Sequence, residues 1–445
     1  MFGDKLFGIF HQILSDPFVP LEDEKEESLQ QQGLPYRCQY LILKDSVSLE
    51  KLPQALHSLS FLRQICIENC QNVVSFAEVD LPSRLKRIDI GSCDALESLP
   101  KSWMDSTSLE QLYIERCKSL AYIARNQLPP NLKVLVISSC DNLQTLMKVP
   151  AIGVCPSTTS SMTKSELPET LEYVHIYYCS KLASLSSSGN LPKALKSVDI
   201  SGCPGIVFFL EGLPSTNLQK LRLRNCEKLE AFPNNMHQLN HLQEIDIWDC
   251  SSLVSFPVEG LSSMNLTRLQ ILNCEKLVAL PNRMENLTSL QELWIQNCQN
   301  IKSFPEDGFP ANLTSLDLAE LKIFEQLFRW GLHRLTSLTN LCIGGWPDVV
   351  SFPPVETGIM LLTSLTVLKI IDFPNLKRLS SIIQNLNSLE ELILLRCPKL
   401  KSFPKKGLPL SLSRLYIREC PLLKQKCERR QYWHLIAYIP KIDIE

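Results

Sequence analysis

The stretch Leu85-Lys-Arg-Ile-Asp-Ile-Gly-Ser-Cys-Asp-Ala-Leu-Glu-Ser-Leu-Pro100 carries apolar residues at fixed offsets. They stand at positions 1, 4, 6, 9, 12 and 15 of the stretch, and a proline closes it. The segments that begin at Leu242 and Leu290 repeat these offsets and end in Phe-Pro. Because self-similarity at a fixed period is the signature of a repeat architecture, the pattern predicts that stacked repeats form the fold.

The repeat extends over most of the chain, and sixteen units can be placed from Cys38 to Lys426. The second apolar position of the units falls at residues 41, 65, 88, 112, 135, 174, 198, 221, 245, 269, 293, 316, 341, 368, 392 and 415. Most steps are 23 or 24 residues, whereas the step from 135 to 174 is 39. The long step predicts an insertion at residues 147–166, whose Ser and Thr content is typical of a surface loop.

This period matches the leucine-rich repeat, in which every unit contributes one short strand. The central Leu-x-Ile has period two, so both apolar side chains point to the same face of the strand. We therefore predict an α/β leucine-rich-repeat solenoid, a horseshoe with a parallel β-sheet on its concave face. Prolines such as Pro100 and Pro257 close many units, and proline favours turns because it fixes φ and lacks an N–H donor. The convex segments are accordingly predicted to be irregular or short-helical.

The two ends of the chain depart from the repeat, as capping units of a solenoid do. Residues 1–33 lack the pattern and contain the acidic run Glu22–Glu27, which predicts an N-terminal linker or cap. Residues 34–427 hold the repeats. Residues 428–445 contain enough apolar side chains, among them Trp433 and Ile436, to close the last unit, so we predict a C-terminal cap.

The composition is that of a globular protein, with 44% hydrophobic residues and a net charge of −2. A charge so close to zero gives no indication of a nucleic-acid or membrane partner. No apolar run approaches the roughly 18 residues that a membrane-spanning helix needs. Charged residues interrupt Met1–Leu21, and no cleavage site of small residues follows, so a signal peptide is not predicted. We therefore expect a cytoplasmic protein.

The seventeen cysteines are not spaced like a disulfide framework. Twelve of them share one repeat position, which Leu321, Trp346 and Phe373 occupy in other units. A position that accepts these residues is predicted to be buried, where cysteine behaves as a small hydrophobic residue. The twelve are Cys70, Cys93, Cys117, Cys140, Cys179, Cys203, Cys226, Cys250, Cys274, Cys298, Cys397 and Cys420. Because no C-x-x-C pair occurs, no metal site is predicted either.

Signatures of catalysis are absent from the sequence. There is no phosphate-binding loop of the form G-x-x-x-x-G-K-S/T, no Gly-rich dinucleotide loop and no G-x-S-x-G. With only sixteen glycines in the chain, loops that wrap closely around a phosphate are hard to form. We therefore predict a protein that is not an enzyme and that binds no cofactor.

A candidate binding surface follows from the alternation of side chains along each strand. Residues that flank the two core-facing apolar residues must point to the opposite, predicted concave, face of the sheet. Large amphipathic side chains in such places are enriched among interface hot spots. We predict that a protein partner contacts Tyr113, Tyr173, His175, Tyr177, Arg222, Trp248, Trp294 and Tyr416.

Three phrases carry a family resemblance, and each runs from Cys through Leu to Phe-Pro or Leu-Pro. They are Cys250-Ser-Ser-Leu-Val-Ser-Phe-Pro257, Cys274-Glu-Lys-Leu-Val-Ala-Leu-Pro281 and Cys397-Pro-Lys-Leu-Lys-Ser-Phe-Pro404. Together with the tail Trp433–Pro440 they resemble the repeat domain of plant intracellular NLR immune receptors of the coiled-coil class. The resemblance covers about residues 34–445. It does not extend to a coiled coil or a nucleotide-binding domain, so we do not expect the chain to bind ATP or ADP.

The resemblance implies a non-catalytic recognition module that acts in plant defence. Its partners would be pathogen effectors, guarded host proteins or the receptor's own nucleotide-binding domain. The alternative is a general leucine-rich-repeat scaffold or a ubiquitin-ligase substrate adaptor. The genomic sequence just upstream would distinguish the two hypotheses, because an in-frame nucleotide-binding domain favours the first and an F-box favours the second.

Overall fold

The computed structural model describes most of the repeat region. The described residues are 20–21, 37–46, 54–76, 78, 80–125, 127–148, 167–185, 191–207, 217–232, 234–261, 263–305, 308–321, 332–354 and 362–445. The predicted N-terminal segment 1–33, apart from residues 20–21, lies outside them. So does the predicted insertion 147–166, apart from residues 147–148. The chain divides into two compact units, Met1–Ser197 and Val198–Glu445.

Unit 1 contains a ladder of parallel strands that pair in chain order. The strands are β1 (Pro20–Leu21), β2 (Tyr40–Lys44), β3 (Gln64–Glu68), β4 (Arg87–Gly91), β5 (Gln111–Glu115), β6 (Tyr122–Ala124), β7 (Val134–Ser138), β8 (Thr145–Met147) and β9 (Tyr173–Tyr177). The main ladder runs β1-β2-β3-β4-β5-β7-β9. Strands β6 and β8 pair separately, also in parallel. The four-residue helix α1 (Lys101–Met104) and a 3-10 turn at Gln54–Ser58 lie between strands.

Unit 2 is built on the same arrangement. Its strands are β10 (Ser197–Ser201, whose first residue closes unit 1), β11 (Lys220–Arg224), β12 (Glu244–Trp248), β13 (Arg268–Leu272), β14 (Glu292–Gln296), β15 (Ser315–Ala319), β16 (Asn340–Gly344), β17 (Ser351–Phe352), β18 (Val367–Ile371), β19 (Arg378–Leu379), β20 (Glu391–Leu395), β21 (Arg414–Arg418) and β22 (Lys441–Ile444). From β11 the parallel ladder passes through β16 to β18, β20, β21 and β22, and β17 pairs with β19.

Helical structure in unit 2 is short. Helices α2 (Pro421–Glu428) and α3 (Trp433–Ile436) lie near the C-terminus. Short 3-10 turns occur at Asn234–Gln238, Met284–Asn286, Leu332–Arg334 and Ser381–Asn385. The described segments between the long strands are irregular or short-helical, as the closing prolines predicted, or form the short strands β6, β8, β17 and β19. Among the residues just described, no helix is long and apolar enough to cross a membrane.

The core is a stack of apolar residues at the second and fourth position of each long strand. Each of the sixteen positions read from the sequence is the second residue of a five-residue strand. Leu221, Ile245 and Leu269 are register partners on successive strands, and all three are fully buried. Burial of apolar area stabilises the fold by about 25 cal/mol per Å². Because each strand buries its apolar residues mainly against the strands beside it, those neighbours contribute most of its stabilisation. The predicted parallel-sheet solenoid is confirmed.

The shared cysteine position is a core position, and all twelve cysteines there are fully buried. Their Sγ atoms donate to backbone carbonyls at the strand ends. Cys298 Sγ, for example, lies 3.3 Å from the carbonyl oxygen of Gln296 and 3.8 Å from that of Ile271. A weak S–H donor thus satisfies acceptors that leucine could not. Leu321 and Phe373 are also buried at this position, whereas Trp346 is only half-buried, contrary to the prediction for it. Cysteines among the described residues are present as thiols.

The residue after most long strands adopts a left-handed conformation, which ends the strand. Asn273 has φ 56°, and its N–H donates to the carbonyl of Gln296 on the next strand at 3.0 Å. Most of these positions carry a residue other than glycine, but Gly345 has φ 73° and no room for a side chain. A Cβ atom there would lie 2.6 Å from the Cα atom of Glu320. The left-handed turn therefore holds the long strands of the ladder to five residues.

Candidate protein-binding face

The first, third and fifth residues of each strand point away from the core, and we call the surface they form the outward face. All eight predicted contact residues lie on it. In unit 1 Tyr113 is third in β5, and Tyr173, His175 and Tyr177 are first, third and fifth in β9. In unit 2 Arg222 is third in β11, Trp248 fifth in β12, Trp294 third in β14 and Tyr416 third in β21.

Strand β9 presents a row of three rings. The His175 ring lies 6.3 Å from the Tyr173 ring and 6.3 Å from the Tyr177 ring, measured between centroids. His175 Nε2 lies 3.4 Å from Ser197 Oγ. Tyr173 is exposed, so the row offers an aromatic edge to the solvent.

Tyr113 belongs to a closed network with Arg87 and Asp89. The Arg87 guanidinium lies 4.1 Å from the Tyr113 ring centroid, a cation–π contact. Arg87 also donates to both carboxylate oxygens of Asp89 at 2.8–3.0 Å, and Gln64 Nε2 donates to Asp89 at 2.7 Å. Asp89 is almost fully buried, and its charge is compensated by these contacts. Burial raises the pKa of the Tyr113 phenol.

Arg222 joins three acidic residues of the outward face in unit 2. It donates to Asp246 Oδ2 at 3.1 Å and to Glu244 Oε2 at 3.0 Å. Its guanidinium also lies 3.9 Å from Asp199 Oδ2. Arg222 therefore cross-links strands β10, β11 and β12 on the outward face.

Trp248 stands beside this cluster. The Arg224 guanidinium lies 4.2 Å from the indole centroid, and Arg224 Nη2 is 3.4 Å from Asp246 Oδ2. Asp246 is 4% exposed, and its other oxygen, Oδ1, has no hydrogen-bond partner among the described residues. Burial raises the pKa of Asp246 although three arginines, Arg222, Arg224 and Arg268, act to lower it. The carboxylate is therefore incompletely compensated.

Unpartnered buried polar atoms concentrate on this part of the outward face. Within the described ranges eight such side-chain atoms occur, and six of them lie at the third or fifth position of strands β10 to β15. They are Asp199 Oδ1, Arg224 Nε, Asp246 Oδ1, Trp248 Nε1, Trp294 Nε1 and Asp317 Oδ1. Each unsatisfied group costs about 1–3 kcal/mol, so such a concentration needs an explanation other than stability.

Trp294 lies two strands from Trp248, on β14. Its register partners are Gln270 on β13 and Asp317 on β15, and neither accepts a hydrogen bond from the indole Nε1. Burial raises the pKa of Asp317 as well. Arg222, Trp248 and Trp294 are thus brought into one region, which we call the tryptophan cluster together with Arg224, Asp246 and Asp317.

Tyr416 is not part of the tryptophan cluster. Five strand steps separate β14 from β21, which at about 4.8 Å per step is roughly 24 Å. Tyr416 instead packs near Lys441, whose Nζ atom lies 5.4 Å from the ring centroid. The predicted residues of unit 2 therefore occupy the same side of their strands but do not form one site.

The sequence reasoning did not single out the buried aspartates. A signal for them exists, since Asp stands between two core-facing apolar residues in Ile88-Asp89-Ile90, Val198-Asp199-Ile200 and Ile245-Asp246-Ile247, and the half-buried Asp317 has the same position in Leu316-Asp317-Leu318. An acidic residue inside an apolar strand repeatedly at the same position indicates a polar row across the sheet.

Comparison with solved structures addresses the fold. A leucine-rich-repeat protein of Leptospira interrogans matches 97% of this chain and 100% of its own, with a TM-score of 0.53 and 17% sequence identity. The fold is that of a leucine-rich-repeat solenoid. The predicted fold class is thereby confirmed, and solenoids of this class are typically non-catalytic protein-interaction scaffolds. The functional domain of InlJ from Listeria monocytogenes, which includes a cysteine ladder, matches 82% of this solenoid and 72% of its own chain. Its identity of 13% and TM-score of 0.37 are too low to bear on this chain.

Comparison with known sequences gives a narrower result. No protein-family profile matches the solenoid. A protein of Arabidopsis thaliana named "Putative disease resistance protein" is 34% identical over 140 residues, or 31% of this chain. The matched segment spans only 10% of that protein's length. The similarity is therefore local.

Proposed function

We propose that this solenoid is a non-catalytic protein-recognition module of a plant immune receptor, and that the tryptophan cluster is its principal contact surface. The observation that carries the proposal is the concentration of unpartnered buried polar atoms around Trp248 and Trp294. Polar groups that the fold leaves unsatisfied are typical of surfaces adapted to binding, where stability is given up for function. Local similarity to a disease resistance protein supports the defence role.

The physical case rests on how the aromatic residues are held. Arg224 stacks on Trp248, so the indole loses little conformational freedom when a partner binds. Tryptophan and arginine are enriched among hot-spot residues, whose truncation costs about 2 kcal/mol or more. The indole N–H groups and Asp246 Oδ1 are themselves covered from solvent, so a partner would reach them only when the side chains around them shift.

The finer parts of the proposal concern the receptor and its partners. We infer membership in the coiled-coil class of intracellular NLR receptors and a cytoplasmic location. The proposed partners are a pathogen effector, a guarded host protein or the receptor's own nucleotide-binding domain. The other predicted contact residues are proposed as secondary contacts; they are Tyr113, Tyr173, His175, Tyr177 and Tyr416. We further propose that residues 34–427 form the repeats between an N-terminal linker or cap and a C-terminal cap at 428–445.

The experiment begins with a partner selected from a plant complementary-DNA display library against the whole chain. Its affinity is then measured by calorimetry for the wild type, Trp248→Ala, Trp294→Ala and the double variant. We expect about 30-fold weaker binding for each single variant, which corresponds to roughly 2 kcal/mol, with an unchanged melting curve. Phe61→Ala is the matched control, because Phe61 is an exposed aromatic residue outside the strands and should not matter.

Two results would contradict the proposal. The first is an unchanged affinity in the double variant, and the second is an equal loss in Phe61→Ala. Should the alanine variants unfold, Trp248→Phe keeps an aromatic ring, smaller than the indole, and removes the N–H, so its binding still decides the matter. The immune role itself is tested by the genomic sequence upstream, where an F-box in place of a nucleotide-binding domain would reject it.

A further inference from the structure

The C-terminal part of the chain is strongly basic. Residues 377–445 contain fourteen Lys and Arg against six Asp and Glu, whereas the whole chain has 45 against 47. The net charge of −2 is therefore unevenly distributed, and residues 377–445 carry a positive excess. A local excess of this size produces a surface potential that attracts anions regardless of the total charge.

The cations of this region fall into two groups. Arg396, Arg414 and Arg418 form ion pairs with Asp372, Glu391 and Asp443, respectively. A second group is exposed or half-exposed and forms no ion pair with any residue that the structure describes; it comprises Lys401, Lys405, Lys406, Lys424, Arg429 and Arg430. These uncompensated charges are available to an external anion.

Helix α3 and its flanks bring together the segments that hold five of these six cations, all except Lys424. Tyr432 Oη donates to the carbonyl of Lys401 at 3.0 Å, and its ring packs on Phe403 at 5.5 Å. Tyr438 Oη donates to the carbonyls of Leu408 and Pro409 at 2.8 and 3.0 Å. The segment 429–438 therefore lies along the segment 401–410. We call the combined exposed surface of these two segments the basic end surface.

Apolar side chains project from the same surface. Leu410 is 87% exposed, Trp433 48% and Tyr438 39%. Leu410 follows Lys405 and Lys406 closely, and Trp433 follows Arg429 and Arg430. A leucine exposed to this extent stands out from the surface and does not line a groove. Protruding leucine and tryptophan among lysines and arginines are the combination that enters the interface of an anionic bilayer.

We propose that the basic end surface binds peripherally to an anionic lipid membrane, with Leu410 and Trp433 entering the interfacial region. The cations contact lipid phosphate and carboxylate groups, and the apolar side chains are removed from water. An acidic protein segment would also be attracted by the charge, but it would need an apolar pocket of its own to cover the protruding leucine. A nucleic acid would use the cations and could stack on Trp433, but not on Leu410.

The test is co-sedimentation of the full chain with vesicles of phosphatidylcholine, alone and with about a third phosphatidylserine. We expect binding only to the anionic vesicles. The double variant Lys405→Glu/Lys406→Glu should weaken it at least tenfold, and Leu410→Ser should weaken it severalfold without changing the charge. Lys228→Glu/Lys276→Glu is the matched control, since both lysines are exposed in unit 2 away from this surface.

Several outcomes would overturn the inference. Absence of binding to the anionic vesicles is one, and equal binding to the neutral vesicles is another. Wild-type strength in Leu410→Ser would show that the apolar side chains take no part. If the chain binds a polyglutamate peptide or a single-stranded oligonucleotide but no vesicle, the surface serves a different partner. Trp248→Ala should bind vesicles normally, which separates this test from that of the protein-binding face.

Discussion

Asp89 in unit 1 and Asp246 in unit 2 occupy the same position of their strands but differ in how their charge is compensated. Both are third in a strand, both are buried, and both lie beside an arginine that stacks on an aromatic ring. Asp89 receives a two-pronged contact from Arg87 and a further hydrogen bond from Gln64. Asp246 shares one oxygen between two arginines and leaves the other without a partner among the described residues.

The two networks are built from the same residue types, but only the one around Asp89 provides partners for both carboxylate oxygens. A satisfied buried pair has nothing left to offer a ligand, and its loss damages the fold. An incompletely satisfied one costs stability in the isolated protein and gains more from a partner. The Arg87–Asp89 pair in unit 1 is therefore structural, whereas the incompletely satisfied Asp246 in unit 2 lies in the cluster that we propose for recognition.

The largest effect is expected from removal of the closed network's arginine. Arg87→Ala leaves Asp89 buried without its main counter-charge and should lower the free energy of unfolding by about 3 kcal/mol. Arg224→Ala, the counterpart in unit 2, should cost only about 1 kcal/mol, because Arg222 still contacts Asp246. Urea denaturation monitored by circular dichroism measures both. Equal losses in the two variants would remove the distinction between the networks.

A smaller effect is expected when the charge of the closed network is removed while its shape is kept. Asp89→Asn replaces a carboxylate that accepts charged hydrogen bonds from Arg87, and it should cost about 2 kcal/mol at pH 7. Glu110→Gln serves as the control, since Glu110 pairs only with exposed lysines and its replacement should cost under about 1 kcal/mol. A stable Asp89→Asn variant would mean that the network contributes little.

The smallest effect, and one of opposite sign, is expected for Asp246→Asn. The pKa of Asp246 is raised in the folded state, so the fold favours the protonated form, and ionisation at neutral pH costs stability. Asparagine resembles the protonated form and should increase stability at pH 7 by less than about 1 kcal/mol, because weakened arginine hydrogen bonds offset part of the gain.

The pH dependence identifies the cause of that gain. The stability that Asp246 contributes is fully present below its ordinary pKa of 3.8 and is lost as the pH rises through the higher folded value. The advantage of the Asp246→Asn variant over the wild type should therefore disappear in acid. Melting temperatures between about pH 3 and pH 7 check this, and a gain that does not change with pH would point to packing instead of charge.

Local sequence was sufficient for the repeating part of the fold. The Leu-x-Ile alternation determined which side chains enter the core, and the 23- or 24-residue period determined that strands pair in parallel and in register. The cysteine position was identified as buried because Leu321 and Phe373 also occupy it. All eight predicted contact residues lie on the outward face for the same reason, since side-chain alternation is a property of the strand alone.

Only the tertiary structure decided which outward-face residues are exposed, paired or left unsatisfied. Asp246 is buried by Arg222 and Arg224, which are distant from it in sequence and reach it only because β11 lies beside β12. The basic end surface likewise exists because the segment around α3 folds back on residues 401–410. Periodicity determines the backbone and the core, whereas burial and charge compensation depend on long side chains that cross between repeats, and the residue types that meet there differ from one repeat to the next.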